Sequence, residues 1–178
     1  DTNLTSLTAG ELKDQVIATI TNYNNTNMKK FDGVFRASQV TTLVDATNPS
    51  ILNTIQRVFV QKRLTPQVGY PQQYTLEFSS PFSSNIATGA SVIDSSEFIM
   101  NGFNHKMQDI PTTDPNIRKV QLYRISNNQK IITTVDAGTV NIKTGTVILT
   151  NFNPDGGVVV SYAYITVTGT PSSNDLAP

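Results

Sequence analysis

Cysteine and tryptophan are absent from this chain of 178 residues, and histidine occurs once, as His105. Without cysteine the chain can form neither a disulfide nor a thiolate metal site. A zinc site normally takes several histidine or cysteine ligands, so a single histidine gives little basis for one. The sequence therefore predicts no metal site and no cofactor.

Charge is scarce as well. Charged residues make up 15% of the chain, and 13 basic residues balance 13 acidic ones, whereas an average globular protein carries about 25% charged residues. Zero net charge gives no reason to expect nucleic acid or an anionic membrane as a partner. No apolar run approaches the roughly 18 residues of a membrane span. A surface with few charges to desolvate suits a protein that lies against other proteins.

Threonine, asparagine, serine and glutamine supply most of the polar residues instead. Threonine favours strands and asparagine favours turns. We therefore expect an α+β protein, mostly antiparallel β-sheet with one or two N-terminal helices. Because the chain begins with Asp1 and no signal-peptide pattern follows, we also interpret it as a fragment of a longer protein or as a processed one.

Two helices are predicted near the N-terminus. Thr8 and Glu11 have the spacing of a capping box, and apolar residues follow at helical spacing, which predicts a helix over 9–24. Ser38 is the predicted cap of a shorter helix near 37–46, which Asn48 and Pro49 would end.

The rest of the chain reads as β-structure. Residues 51–64 fit either a helix or a strand, and we favour a strand because several residues there are β-branched or aromatic. Gly145 has the position expected in the loop of a hairpin. The remaining predictions are strands at 74–78, 90–100, 120–125 and 130–135, a long exposed loop at 101–117, a hairpin at 138–149, a turn at 153–157 and a final strand at 158–167.

Three segments follow from these predictions. Residues 1–30 form a linker and an amphipathic helix, residues 31–168 a β-rich domain with the short helix, and residues 169–178 a loose tail rich in proline, serine and asparagine.

No catalytic centre is predicted. His105 lies in the predicted loop with no nucleophile motif near it, so a solvated histidine is the simpler interpretation. Asp94 and Glu97 lie close in sequence, as do Asp109 and Asp114, but no local motif marks either pair as the carboxylates of a glycosidase.

Two groups of residues are candidate interfaces. The apolar stripe of the first helix could pack in the core or on a sister chain. The second group contains three cations, which could form the solvent face of a strand, a protein interface or a phosphate-binding surface. The candidates are Leu12, Val16, Ile20, Arg57, Phe59, Lys62 and Arg63.

Three sequence blocks resemble a known family. The first is FDGVFRASQVTTLVD at 31–45, the second is PSIL at 49–52 followed by RVFVQKRL at 57–64, and the third is YTLEFSSP at 74–81. In this order they resemble the C-terminal region of the baseplate wedge protein of T-even-type contractile-tail phages, the gene-product-six family. The resemblance extends over roughly residues 22–167.

The resemblance implies a virion protein of the tail baseplate, made in the host cytoplasm. Members pair with themselves and with other wedge proteins, and they join neighbouring wedges into a ring around the central hub. No enzymatic activity, cofactor or small-molecule substrate is implied for this region. The alternative, suggested by the Asn- and Thr-rich strands and the predicted loop, is a glycan-binding module of an adhesin or tail fibre, with Tyr70, Tyr74 and Phe103 as aromatic contacts.

Overall fold

The computed structural model describes residues 4–30, 32–84, 90–155 and 164–176. The chain divides into two compact units. The helical unit comprises residues 1–58 with 174–178, and the β unit comprises residues 59–173. Two N-terminal helices and an antiparallel sheet of nine strands confirm the predicted α+β class.

Helix α1, Ala9–Tyr23, begins at the predicted capping box. The Thr8 hydroxyl accepts from the backbone N–H of Glu11 at 3.3 Å, and the Glu11 carboxylate accepts from the backbone N–H of Thr8 at 2.8 Å. Both bonds satisfy donors that a helix start otherwise leaves unpaired. A single π-helical turn, Asn24–Met28, continues the helix through the asparagine-rich segment.

Helix α2, Ala37–Asp45, confirms the short helix, but its predicted cap was wrong. Arg36 occupies the N-cap position without a capping side chain, and Ser38 lies in the first turn. The backbone N–H of Ala37 is instead satisfied by Asp175, at 2.8 Å. The helix also ends at Asp45, before the predicted stop.

The core of the helical unit is small. Tyr23, Val40 and Val44 are its buried members, with half-buried residues packed around them. The Tyr23 hydroxyl accepts from the backbone N–H of Arg36 at 2.9 Å. The side chain is therefore held both by packing in the cluster and by this hydrogen bond. The half-buried residues are Val16, Met28, Phe35 and Ile51.

The β unit contains one antiparallel sheet, with strands in the order β1-β9-β3-β5-β6-β7-β8-β2 and β4 paired with β5 beside this path. Leu64 and Leu76, from the two edge strands β1 and β2, belong to the same core cluster. The sheet must therefore curve until both of its edges reach one interior. The strands are β1 Val60–Leu64, β2 Gln72–Glu77, β3 Ile93–Ser95, β4 Phe98–Met100, β5 Phe103–Pro111, β6 Ile117–Ser126, β7 Gln129–Asn141, β8 Thr146–Phe152 and β9 Ile165–Gly169.

Both predicted hairpins of this sheet are confirmed. β6 and β7 are joined by Asn127 and Asn128, which both have positive φ, as a tight two-residue turn requires. β7 and β8 are joined by a loop in which Gly145 has φ +68°. A Cβ atom on Gly145 would lie 1.9 Å from the backbone oxygen of Ser80, so close approach of the backbone also requires glycine there.

Three strand predictions need correction. The long exposed loop predicted at 101–117 was wrong, because most of it forms β5 and the start of β6. The strand predicted over 51–64 is confined to β1, since β9 offers pairing partners only for its last five residues. The candidate at 90–100 is two short strands, β3 and β4, that both pair with β5.

The predictions for the C-terminal segment and for the domain boundary have different outcomes. β9 confirms the end of the last strand, whereas residues 156–163 of the predicted turn and strand lie outside the described residues. Residues 169–176 are not loose, because Leu176 exchanges two backbone hydrogen bonds with Phe35 and Ser172 donates to Pro81. The sequence suggested a boundary near residue 30. The observed boundary falls after Val58, because α2 packs with α1 and not in the β core.

Candidate interaction surfaces

The predicted stripe of α1 separates into core and surface. Val16 packs against the cluster of Tyr23, Val40 and Val44. Leu12 is half-buried, whereas Ile20 keeps 43% of its surface exposed. Of the three predicted interface residues on α1, Ile20 is therefore the one that leaves most apolar surface for a partner.

Further exposed apolar residues of the helical unit were missed by the sequence reasoning. Ile17, three residues before Ile20 and so its neighbour on the helix surface, is 49% exposed, and Leu43 of α2 is 42% exposed. After α2, Leu52 and Ile55 are 73% and 86% exposed. We call Ile17, Ile20, Leu43, Leu52 and Ile55 the apolar set of the helical unit.

A groove of about 350 Å³ lies beside Leu43. It runs between the end of α1 and the outer side of α2, and Tyr23 forms part of its floor. Polar groups line most of the rest. The lining residues are Tyr23, Asn27, Ser38, Gln39, Thr42 and Leu43.

The segment that leads to Ile55 is held to α2 by side chains. The Thr41 hydroxyl donates to the side-chain oxygen Oε1 of Gln56 at 2.8 Å, and the Thr54 hydroxyl donates to the Asp45 carboxylate at 2.5 Å. These two bonds fix a segment without regular secondary structure. The exposed side chain of Ile55 lies between these two anchored residues and is therefore held in place relative to α2.

The second predicted group is divided between the two units. Arg57 is exposed in the helical unit, and Phe59, 55% exposed, begins the β unit. Lys62 and Arg63 project from β1, where the Arg63 guanidinium lies 4.5 Å from the ring centroid of Tyr164.

β1 is an edge strand of the sheet. Its central residues, Gln61 to Arg63, are all exposed. Charged residues on an edge strand hinder pairing with another sheet, and the exposed Lys62 and Arg63 are placed where they would have this effect.

The prediction that the only histidine lies in a solvated loop was wrong. His105 lies in β5 with 3% of its surface exposed. Its ring is stacked on Phe98, with centroids 6.1 Å apart, and its Nδ1 lies 2.9 Å from the backbone oxygen of Phe103. These contacts give the histidine a place in the core.

The candidate carboxylates do not converge on a site. Asp94 pairs with Lys106 at 2.9 Å on the surface. Asp109, by contrast, is 1% exposed and forms a buried ion pair with Arg118. Asp114 caps a turn through the backbone N–H of Asn116. The second predicted pair is therefore divided between the core and an exposed turn, and it does not form the facing carboxylates that glycoside hydrolysis uses.

Burial and nearby charges shift the pKa values of two groups near this surface pair. Burial acts to lower the pKa of Lys106, but the hydrogen bond that Lys106 donates to Asp94 and the charge of Asp94 outweigh burial, and the pKa is raised. Burial raises the pKa of Tyr123, against the opposing charge of Lys106. Both groups thus keep their neutral-pH charge states, and neither is poised for proton transfer at neutral pH.

Within the described ranges, no cluster of three or more His, Asp or Glu side chains is arranged to hold a metal ion. In the same part of the chain, no helix has the length and apolar character needed to cross a membrane.

A family model matches the N-terminal part of the chain. Residues 1–62 match the family model described as baseplate structural protein gp6, C-terminal domain III. No curated protein matches the chain. The matched segment contains the whole first block of the predicted resemblance and the second block up to Lys62, whereas the third block lies beyond it.

The matched segment also contains α1, α2 and all five residues of the apolar set. It ends inside β1, so most of the β unit lies outside the match. The predicted resemblance is therefore confirmed: over residues 1–62 the chain is similar to the C-terminal domain III of gp6, a structural protein of the phage tail baseplate in the virion.

Proposed function

We propose that this chain is a self-associating baseplate wedge subunit, which pairs with a second copy and with other wedge proteins and so joins neighbouring wedges into the ring around the central hub of a contractile tail. The single observation that carries this proposal is the apolar set of the helical unit. Its five members lie in the segment similar to gp6.

The proposal is supported by the balance of buried and exposed apolar residues in that unit. Its buried hydrophobic residues are Tyr23, Ala37, Val40 and Val44. The apolar set has five members against these four, so the described part of the unit leaves more large apolar side chains in water than it buries. Burial of such side chains against another protein would stabilise a complex by about 25 cal/mol per Å² of apolar surface, before the costs of association.

A ring joint must keep its contacts while the subunit angles change. Rigid bodies that rotate about packed interfaces provide a common physical route. The β unit, with a single closed core, is suited to act as such a rigid body. The contacts would then be made by the helical unit.

The alternative of a glycan-binding module receives less support. The loop that motivated it is largely strand β5. Of its three aromatic candidates, Tyr74 packs edge-on against Phe152, and the ring of Phe103 is covered on one face by the guanidinium of Arg124. Tyr70, which is 63% exposed, is the remaining candidate platform.

Sedimentation velocity of the chain over a range of concentrations tests the proposal. We expect a concentration-dependent dimer or larger species, and we expect Ile20→Asp to abolish it while the circular dichroism spectrum stays unchanged. Ala18→Asp is the matched control, because it adds the same charge to an exposed position of the same helix. A strict monomer that also binds no baseplate protein would contradict the proposal.

A further inference from the structure

A cleft opens in the β unit where β5 and β6 separate. Lys106 and Tyr123 form the last pair of the two strands at this end. Beyond them β5 pairs with β4, and β6 pairs with β7. The resulting cleft has a volume of about 350 Å³ and is lined by Gly102, Phe103, Asn104, Arg124, Ile125 and Ser126.

Arg124 is the charged group of this cleft. Its guanidinium carbon lies 4.2 Å from the ring centroid of Phe103. Its Nε is buried and has no hydrogen-bond acceptor among the described residues. A guanidinium that stacks on a ring keeps the donors along its edge available, and a buried donor without an acceptor is unfavourable.

The lining residues do not supply the missing acceptor. Two carboxylates contact the lining, but Asp155 accepts from the backbone N–H of Gly102 at 2.7 Å, and Glu97 accepts from the Asn104 amide at 3.5 Å. Neither forms an ion pair with Arg124 within the described ranges.

Arg118 of the same strand shows how an arginine is satisfied in this fold. Its Nε donates to the buried carboxylate of Asp109, and its Nη2 donates to the backbone oxygen of Ala90 at 2.7 Å. Arg118 thus has a carboxylate supplied from within the chain. Arg124 has the same donors in a lined cleft and lacks that carboxylate.

We propose that the cleft at Arg124 binds a carboxylate group from outside the chain. The Nε–H and one Nη–H of a guanidinium donate side by side and match the two oxygens of a carboxylate. Ser126 lies two residues further along β6, and so on the same face of the strand, where its hydroxyl provides a further donor. The ring of Phe103, which stacks on the guanidinium, forms an apolar wall beside these donors.

A carboxylate fits this cleft better than a phosphate does. Phosphate sites usually combine several cations or a row of backbone N–H groups. The lining holds one cation, and the backbone N–H of Gly102 is already bonded to Asp155. One positive charge matches one carboxylate, whether it is carried by a Glu or Asp side chain of a protein or by a free small acid.

Titration of the intact chain followed by the NMR signal of the Arg124 Nε–H group tests this proposal. The probes are sodium acetate, N-acetyl-glutamate amide, sodium phosphate and sodium chloride at matched ionic strength. We expect a saturable shift with acetate and none with chloride. Arg124→Lys should abolish the acetate-induced shifts of the backbone N–H signals of Phe103 and Ser126, since lysine cannot form the paired bonds. Arg57→Lys, at an exposed position of the helical unit, should leave them unchanged.

The titrations with N-acetyl-glutamate amide, phosphate and chloride show which kind of ligand the cleft prefers. A shift with N-acetyl-glutamate amide at least as strong as that with acetate would assign the cleft to protein side chains. Binding of acetate alone would assign it to free small acids, and both results support a carboxylate site. Stronger binding of phosphate, equal shifts with chloride, or no saturable shift would overturn the proposal.

Discussion

The helical unit and the β unit bury their apolar residues in different proportions. In the β unit, eighteen buried residues from all nine strands and the segments between them form one cluster, and Phe98, Met107 and Val140 have no exposed surface. In the helical unit the core cluster has three buried members, and the apolar set remains outside it. The β unit also leaves large apolar side chains exposed, such as Ile125 and Val135, but its described core outnumbers them, whereas in the helical unit the exposed apolar residues outnumber the core.

This difference separates two physical tasks. A closed core gives stability without a partner, because the hydrophobic gain is complete within the unit. An incomplete core with exposed apolar residues gains stability on association. The part of the chain similar to gp6 is the incomplete one, so the comparison predicts that contacts with other subunits stabilise the helical unit in particular.

The largest expected effect lies in the buried ion pair of the β unit. Asp109 accepts from Arg118 with one carboxylate oxygen and from the backbone N–H groups of Val92 and Ile93 with the other, both at 2.7 Å. Asp109→Asn removes the charge and leaves Arg118 buried without a counterion. We expect a loss of about 3–5 kcal/mol in the free energy of unfolding, measured by urea denaturation.

The surface pair provides the control for this change. Asp94→Asn removes the partner of the partly exposed Lys106 and should cost less than about 1 kcal/mol. If the two variants lost equal stability, the β unit would not depend on its buried pair, and its description as a closed core would need revision.

The next effect concerns the core of the helical unit. Val16→Asp places a charge against Tyr23, Val40 and Val44 and should destabilise the unit by about 2 kcal/mol. Ile17→Asp, at the adjacent exposed position, should change the stability of the chain by less than about 0.5 kcal/mol when both are measured at a dilution at which the chain is monomeric. Thermal unfolding followed at the helical circular dichroism signal distinguishes them. If the Val16→Asp variant stayed folded and lost only association, Val16 would have to be assigned to the interface and not to the core.

The smallest effect is a pH dependence at the start of α1. Backbone and side-chain hydrogen bonds from Thr8 hold the pKa of Glu11 below its ordinary value. Because the folded pKa lies below the unfolded one, this contribution is complete above the ordinary carboxyl pKa and is lost as the pH falls through the lowered value. Glu11→Gln should remove this part of the acid dependence of the helical signal. Identical acid profiles for both proteins would show that the capping box does not form in solution.

Local signals were enough to predict part of the fold. Thr8 and Glu11 determine the start of α1 by contacts within one turn, and Gly145 marks its hairpin loop because few other residues adopt positive φ. Strand β5 could not be predicted in this way. Its core-facing positions include His105 and Asp109, which interrupt the apolar alternation, and Asp109 is buried only because Arg118 from the next strand pairs with it.

The candidate surfaces were predictable to a smaller extent. The periodicity of α1 identified a stripe, but which of its residues face water depends on how α2 packs against the helix. Val16 therefore packs against the core, and Ile17, which belongs to the same apolar run but was not among the interface candidates, is exposed. The sequence did not predict a site at Arg124, because its unpaired Nε depends on the separation of β5 from β6 in the folded structure.

The central claim is that the helical unit depends on a partner for its stability and that the β unit does not. Hydrogen exchange measured by mass spectrometry on dilute and concentrated samples of the whole chain tests it most directly. We predict that the protection of α1 and α2 rises with concentration while that of β5, β6 and β8 stays high and constant. Equal protection of both units at every concentration would contradict the claim.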